Sequence, residues 1–454
     1  MVGDTTRRDI LRHVGAGAVA TPLLGGPAAA TVGSDTTEDD TPAVAPAFAG
    51  EFLIRPLATA ASPTAIRFGP GDGGFGDPGA GDANPDLYAA TLGGSVVRYH
   101  PEGAADPPVQ AQGPKNDALV VSDSHMNDNT GRTDGVVYLV ESDGTRKCLV
   151  DGLPNGRHNT NHVAFGPGDN DRLYITNGNT TDDGCEGGDP EVLPYSGAIL
   201  AVDLDEVEED PAVLSWVDEN GTRIPPEAIP DHSVNADFAE GVDVVAHGFR
   251  NVYGLAFDHD GTLHTGMNGA DDPASPDVFY RLDEPAGTDY RYPFCFNTGP
   301  VGGTGDAVRL EPNPAAPGHD CHVFDDVDDQ SDLDCDEADH PTADAVVGWH
   351  ACATGLDFPS HGAAAFPDRF RTDAFMGECG TFTPLASAER TTESMDGRNT
   401  GHSVAHIPIA DGEVGGVEDF LTGLSLPTDV LFGPEGAMYV ADLEAIHRVR
   451  PLPG

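Results

Sequence analysis

Positive charge is what this sequence has least of. Against 76 Asp and Glu the 454 residues carry 23 Lys and Arg, and lysine occurs only at Lys115 and Lys147, leaving a formal net charge of -53. A surface of that sign repels a phosphate polymer at ordinary ionic strength, which excludes nucleic acid as a natural partner. The same repulsion opposes a compact state in dilute buffer, whereas near molar salt the screening length falls to about 3 Å. The composition therefore reads as the solvated, Asp-rich surface of a halophile's protein. Acidic substrates are disfavoured unless basic residues converge locally.

Long apolar runs are also missing. The run Val14 to Leu24 is too short to span a bilayer. It follows Arg7-Arg8 and precedes Pro27-Ala28-Ala29-Ala30, which together resemble a twin-arginine signal peptide over residues 1–30. The expectation is export in the folded state to the cell surface or medium, with no transmembrane segment once the signal is removed. No Cys follows the run, so lipid anchoring at the signal is not expected. The seven cysteines contain no C-x-x-C pair, which argues against a zinc or dithiol redox motif. In an exported chain disulfides are the default, and an odd count leaves at least one thiol unmatched. Cys295 and Cys321 share the longest loop-like region and are the expected pair.

Helical periodicity is the third scarcity. After a Thr/Asp/Pro/Ala-rich stretch at 31–48 that reads as a disordered linker, short apolar or β-branched runs bounded by Gly, Pro, Asn and Asp recur to the end of the chain. They share a unit. Val163-Ala164-Phe165-Gly166-Pro167 leads to Leu173-Tyr174-Ile175, and Asp429-Val430-Leu431-Phe432-Gly433-Pro434 leads to Met438-Tyr439-Val440. Related pairs begin at Ala65 and Gly254, and a third strand often follows, as at Ala198 to Val202. Degenerate strand-turn-strand units of this kind predict an all-β fold, a six-bladed β-propeller over 49–454, with weaker blades at 115–150 and 355–410. A long acidic loop at about 298–345 reads equally as a cap over one face or as salt-adapted surface.

Two segments carry the chemistry. Gly152-Leu153-Pro154-Asn155-Gly156-Arg157-His158-Asn159-Thr160-Asn161-His162 runs into the strand Val163 to Phe165, and Gly248-Phe249-Arg250-Asn251 runs into Val252-Tyr253-Gly254-Leu255-Ala256-Phe257. A neutral loop imidazole can take a hydroxyl proton near neutral pH, and a guanidinium is a planar fork of donors for anions. The plainer alternatives are a His bonded to a blade carbonyl and an Arg bridging two blades. His162 reads as structural.

These segments resemble the soluble pyrroloquinoline quinone (PQQ) dependent glucose/sorbosone dehydrogenases, in the sorbosone-type branch. His158, eight residues before Gly166, takes the place of the family's general base in "GLP…H…FGPDG.LY.T.G". Gly248-Phe249-Arg250-Asn251 is similar to "G-(H/L)-R-N-P-x-G-L-A-F", implying that Arg250 and Asn251 touch the quinone cofactor, although Val252 stands where Pro is usual. Gly269 and Ala270 fall where the family's Gly-Pro carbonyls help hold calcium, with Asp271 and Asp272 beside them. Gly287-Thr288-Asp289-Tyr290-Arg291-Tyr292-Pro293-Phe294-Cys295 resembles a structural turn of that branch, and Trp349-His350-Ala351-Cys352 is similar to a loop at the cofactor face, implying substrate contact by Trp349 and His350.

The resemblance implies an oxidoreductase oxidising a sugar or related alcohol with PQQ and calcium as cofactors, passing electrons to an unknown acceptor. Arg157 replaces the acidic neighbour that orients the base in the best-known branch, and the cofactor-binding basic residues expected in the last blades are missing. A calcium-dependent lactonase-like hydrolase and a non-catalytic propeller that binds glycan or protein remain as alternatives.

Overall fold

The computed structural model describes residues 42–59, 63–68, 87–91, 96–99, 109–110, 119–123, 134–140, 145–167, 169–181, 193, 195–207, 212–214, 239–270, 275–283, 286–313, 335, 340–359, 366–380, 401–433, 436–443 and 445–452. The signal region, most of the linker and much of the acidic loop lie outside these residues. So do Trp216, Asp271, Asp272 and Cys321.

Almost everything described is β. Four-stranded antiparallel units follow one another along the chain. The first comprises Pro63–Phe68, Leu87–Thr91, Val96–Tyr99 and Val109–Gln110. The second holds Leu119–Asp123, Asp134–Val140 and Arg146–Pro154, with Ala212–Val213 added in parallel. Thr160–Gly166, Asp169–Asn177, Ala198–Asp203 and Val242–His247 make the third, edged by Thr288–Asp289. The fourth contains Asn251–Phe257, Leu263–Asn268, Asp277–Leu282 and Ala345–Gly348. Ala353–Asp357, Ala374–Glu378, Ser403–Ile407 and Glu418–Thr422 form the fifth, and Pro427–Phe432, Met438–Asp442 and Ala445–Pro451 the sixth. The early strand Phe52–Thr59 completes the sixth sheet by pairing with Ala445–Pro451, so the beginning of the fold is stitched to its end. The sole α-helix among the described residues is the single turn Leu204–Val207, and no described helix is long and apolar enough to cross a membrane.

The arrangement is propeller-like because successive sheets pack face to face from the second to the sixth, and the sixth packs on the first. Ala198–Asp203 is buried at every position but the last, as expected for a strand covered from both sides. Leu149 and Val137 of the second sheet meet Leu173 and Leu200 of the third, Ile199 of the third meets Val278 of the fourth, and Ile66 of the first meets Tyr439 of the sixth. Between the fifth and sixth sheets Phe366, Phe370, Phe375, Phe420 and Phe432 form an aromatic seam. Each fully buried ring there contributes about 1.5–3 kcal/mol relative to exposure.

The first strands of the sheets face a common centre. Asp429, in the sixth sheet, accepts the Ile66 N–H of the first at 2.8 Å and lies 3.8 Å from His162 Nε2 of the third. In the fifth sheet Gly355 leaves no room for a Cβ, which would sit 1.9 Å from Asp429 Oδ1. One buried carboxylate thus touches three other sheets, and His162 serves this packing role as expected. Near the start of the first strand the register slips in the first, third, fourth, fifth and sixth sheets, for example between Thr160 and Val163 and between Val252 and Leu255. Such bulges re-aim the residues just before them, a device common beside functional sites.

Two sequence expectations are corrected. Cys295 pairs with Cys335, not Cys321, because Cys295 opens the hairpin Cys295–Thr298/Arg309–Pro312 and Cys335 packs onto its Phe294 and Leu310. The fold also begins before Gly50. Ala43–Val44 pairs with the edge of Glu418–Thr422, and Phe48 is buried against Phe370 and Phe420.

Candidate functional site

At one end of the sheets the loops preceding the first strands come together. Register pairs mark this end in four sheets: Thr160 with Asn177, Asn251 with Asn268, Ala353 with Glu378, and Pro427 with Asp442. The loop carrying His158 is wound by its own sequence. Asn155 Oδ1 accepts the Thr160 N–H at 3.2 Å, and Gly156 N–H reaches the His158 carbonyl at 3.0 Å. It is zipped to the facing loop by Arg157 N–H on Thr180 O, His158 N–H on Asn179 O and Gly178 N–H on Asn159 O.

His158 does bond a blade carbonyl, as the plainer sequence reading held. Its Nδ1 lies 2.9 Å from the Asn179 oxygen. A carbonyl only accepts, so Nδ1 carries a proton in this contact. A peptide oxygen thus fixes the orientation of the ring.

Asn251 meets His158 across Gly178. A Cβ on Gly178 would stand 2.5 Å from His158 Cβ and 2.6 Å from Asn251 Oδ1, so the imidazole and the amide approach over bare backbone. Asn161 Nδ2 donates to Asn251 Oδ1 at 2.9 Å and to Val252 O at 2.6 Å. The Arg250 carbonyl accepts the Asn179 N–H, and its Nη1 reaches Asn268 O at 3.4 Å. Arg250 is only 5% exposed, an isolated cation of this kind being costly to bury without anionic company.

Part of that company is Asp277. Its Oδ1 accepts the Gly269 N–H and its Oδ2 the Cys352 N–H, each at 2.6 Å, tying the fourth sheet to the fifth. Burial pushes the Asp277 carboxyl up to about 6, while those two N–H groups and the charges of His350 and Arg250 pull it down. The carboxylate therefore joins Gly269, Arg250, His350 and Cys352 in one electrostatic unit. Ala270 is fully buried against Tyr292 and Phe296, with its N–H on Ser275 Oγ at 2.7 Å and its carbonyl accepting the Ser275 N–H at 3.0 Å. Trp349 and His350 are half-buried on the loop before Ala353, and His350 has a positive φ of 55°.

Two buried amide atoms at this end have no hydrogen-bond partner among the described residues: Asn159 Nδ2, beside His158, and Asn268 Oδ1, beside Gly269. Unsatisfied buried polar atoms are uncommon and costly, and here they present a donor and an acceptor to whatever occupies the site.

The chain superposes on solved structures of the same overall fold. The holo form of the PQQ domain of pyranose dehydrogenase from Coprinopsis cinerea matches with a TM-score of 0.56 at 14% identity, over 90% of this chain and 97% of that one. A calcium structure of a family AA12 carbohydrate-active enzyme from Trichoderma reesei gives 0.55 at 14% identity, over 90% and 96%. A glucose dehydrogenase gives 0.50 at 14% identity, over 88% and 99%. No family model matches the chain, and no curated protein matches it in sequence. At this identity the likeness is one of fold.

Of the residues singled out from sequence, His158, Arg250 and Asn251 stand together, Gly269 and Ala270 adjoin them through Asn268, and His350 reaches the group through Asp277. Sequence reasoning passed over Asp277 and the asparagines 159, 161, 179 and 268. A signal existed: Asn177-Gly178 and Asn268-Gly269 end the second strand of successive sheets at the same register position. Among the described residues no three His, Cys, Asp or Glu side chains cluster as metal ligands.

Proposed function

We propose that the chain is a quinoprotein sugar dehydrogenase whose six sheets close as a six-bladed propeller, with its site at the end just described. The observation that carries the reading is the approach of His158 and Asn251 over the bare backbone of Gly178, with the neighbouring Arg250 buried and its Nη1 on Asn268 O. The similar solved structures support it, since they include a PQQ domain and a glucose dehydrogenase.

The donor set fits pyrroloquinoline quinone in kind. Arg250 and Asn159 Nδ2 offer the charge and the donor that carboxylate and quinone oxygens require. For calcium the oxygens are Asn268 Oδ1 and the carbonyls of Gly269 and Ala270, which suit a hard cation in type. When bound, the quinone supplies two-electron oxidation by accepting a hydride, and the cation withdraws charge from it.

The remaining work belongs to the protein. His158 Nε2 takes the proton of the substrate hydroxyl, and Nδ1–H, held on Asn179 O, stabilises the imidazolium that forms. Trp349 and His350 border the substrate, and Asp277 balances Arg250 and His350. A sugar is neutral, so the strongly negative surface does not repel it. Export by the twin-arginine route belongs to the same reading.

Binding tests it. Titrating the quinone into the full chain in molar salt with calcium, followed by absorbance, should saturate, and Arg250→Ala should weaken binding on the order of tenfold or more, the loss of a charged hydrogen bond. Failure of the unaltered protein to bind the quinone, or equal affinity in the variant, contradicts the reading.

A further inference from the structure

The loops that border the site are built alike in the third, fourth and fifth sheets, and differ at one position. In the third, Asn159 and Gly178 extend the Thr160 and Asn177 pair by one residue, with Gly178 N–H on Asn159 O at 2.9 Å. Arg250 and Gly269 stand in those places in the fourth. In the fifth they are Cys352 and Cys379, joined by a disulfide with Cα atoms 5.1 Å apart and with Cys379 N–H on Cys352 O at 3.0 Å. Two sheets place a glycine opposite a bulky residue where the fifth places a covalent bond.

We infer that the Cys352–Cys379 disulfide is a positioning element for the site: it holds the 349–352 loop so that Cys352 N–H fixes Asp277 across the seam between the fourth and fifth sheets, and its reduction frees that loop without unfolding the sheets.

The loop needs such a restraint. His350 and Cys352 both have positive φ, 55° and 58°, a conformation that side-chain-bearing residues keep only where their surroundings impose it. The restraints include the disulfide, Cys352 N–H on Asp277 Oδ2, Cys379 N–H on Cys352 O, and Gly380 N–H on Ala351 O at 2.8 Å. The Cys379 side is the fixed one. Cys379 is buried, and the His402 ring lies over Gly380, 2.8 Å from where a Cβ would be. His402 is in turn held by its Nδ1–H on Ser425 O at 2.6 Å. Cys352 is half-buried, so a small thiol can reach its sulfur.

Reduction by dithiothreitol balances simply. One reductant thiolate attacks the Cys352 sulfur, the S–S bond breaks, and Cys379 leaves as thiolate and takes a proton. The second reductant thiolate then displaces Cys352 as its thiol, and the reductant closes to a cyclic disulfide.

The test uses the full chain in molar salt, unaltered, reduced, and as Cys352→Ser/Cys379→Ser, with hydrogen exchange of backbone amides as its main readout. Exchange at Gly269 and Cys352 should rise at least tenfold when the disulfide is lost, while protection of Ser403–Ile407 stays the same. Dithiothreitol should add nothing at those amides in the double variant. Unchanged exchange at Gly269 and Cys352, or loss of protection throughout the fifth sheet, overturns the inference. If the double variant fails to fold, the reduced protein carries the test, with alkylation and mass measurement confirming which cysteines opened.

A kinetic arm rests on the proposed function: KM for sugar should rise about tenfold with kcat changed less, because the loop positions substrate rather than the base. A local rise in exchange in a protein that oxidises no sugar leaves this inference standing and removes the functional reading. Sugar oxidation with KM and exchange both unmoved does the reverse.

Discussion

Replacing Gly178 by Ala tests whether the approach of His158 and Asn251 matters to function. Gly178 has no positive φ, so alanine suits its backbone and its N–H still reaches Asn159 O. The added Cβ is the whole perturbation. It would lie 2.5 Å from His158 Cβ, where ordinary contact begins near 3.4 Å, so the two loops must part by about 0.9 Å. Asn251 Oδ1, at 2.6 Å, must give by a similar amount. Overpacking of this size costs about 1–3 kcal/mol. A base displaced by about 1 Å loses on the order of a hundredfold in rate. Chemical denaturation in molar salt measures the first effect, and kcat with the reconstituted protein measures the second. A variant with unaltered stability and unaltered kcat would refute the reasoning, because the steric conflict leaves no third outcome for a rigid site.

Other expectations follow from particular contacts. Asn161→Ala removes the donor to Asn251 Oδ1 and Val252 O and should cost about 1–3 kcal/mol by leaving buried acceptors unmet; thermal melting against the unaltered protein checks this. Asp258 is affected first by burial, which raises its pKa, but its bonds from His264 Nε2 and from the Thr262 and Asp260 N–H groups win and hold it at about 2. Its stabilisation is therefore present above the ordinary carboxylate pKa near 4 and lost as pH falls towards 2. Asp258→Asn should be less stable by about 1–2 kcal/mol at pH 7, the difference shrinking in acid when denaturation midpoints are compared. Asp344 behaves oppositely. Burial, with the nearby charge of Asp283, pushes it up to about 6, although the Arg281 N–H opposes the rise. The stability it favours is present below about pH 4 and lost as pH rises through 6. Asp344→Asn should gain about 2 kcal/mol above pH 6 and nothing in acid, a crossing that a denaturation series against pH would reveal or deny.

Much of the architecture could be read from the repeated Phe-Gly-Pro units, because a strand, a tight turn and a second strand leave a local imprint. Val163 to Phe165 and Asp429 to Phe432 fall inside first strands as that imprint suggests. The meeting of His158 with Asn251 was legible only through resemblance, since the two lie on separate segments far apart in sequence. The asparagine amides that frame them were not legible. Asn is common in any loop, and only the register of Asn177 and Asn268 at the ends of second strands sets these apart. The Cys295 partner failed for a related reason: Cys321 and Cys335 lie in the same loop-like stretch, and the choice is made by packing on Phe294 and Leu310. The bridge from Asp277 to Cys352 was not legible either, because it depends on two sheets meeting.

The central claim is sugar oxidation with His158 as base. It is tested most directly by loading the full chain with calcium and pyrroloquinoline quinone in molar salt and following reduction of an electron-accepting dye with a panel of aldoses. The account requires turnover with at least one sugar and a loss on the order of a hundredfold or more in kcat for His158→Ala with the quinone still bound. Absence of turnover with every sugar, or a His158→Ala variant as active as the unaltered protein, contradicts it.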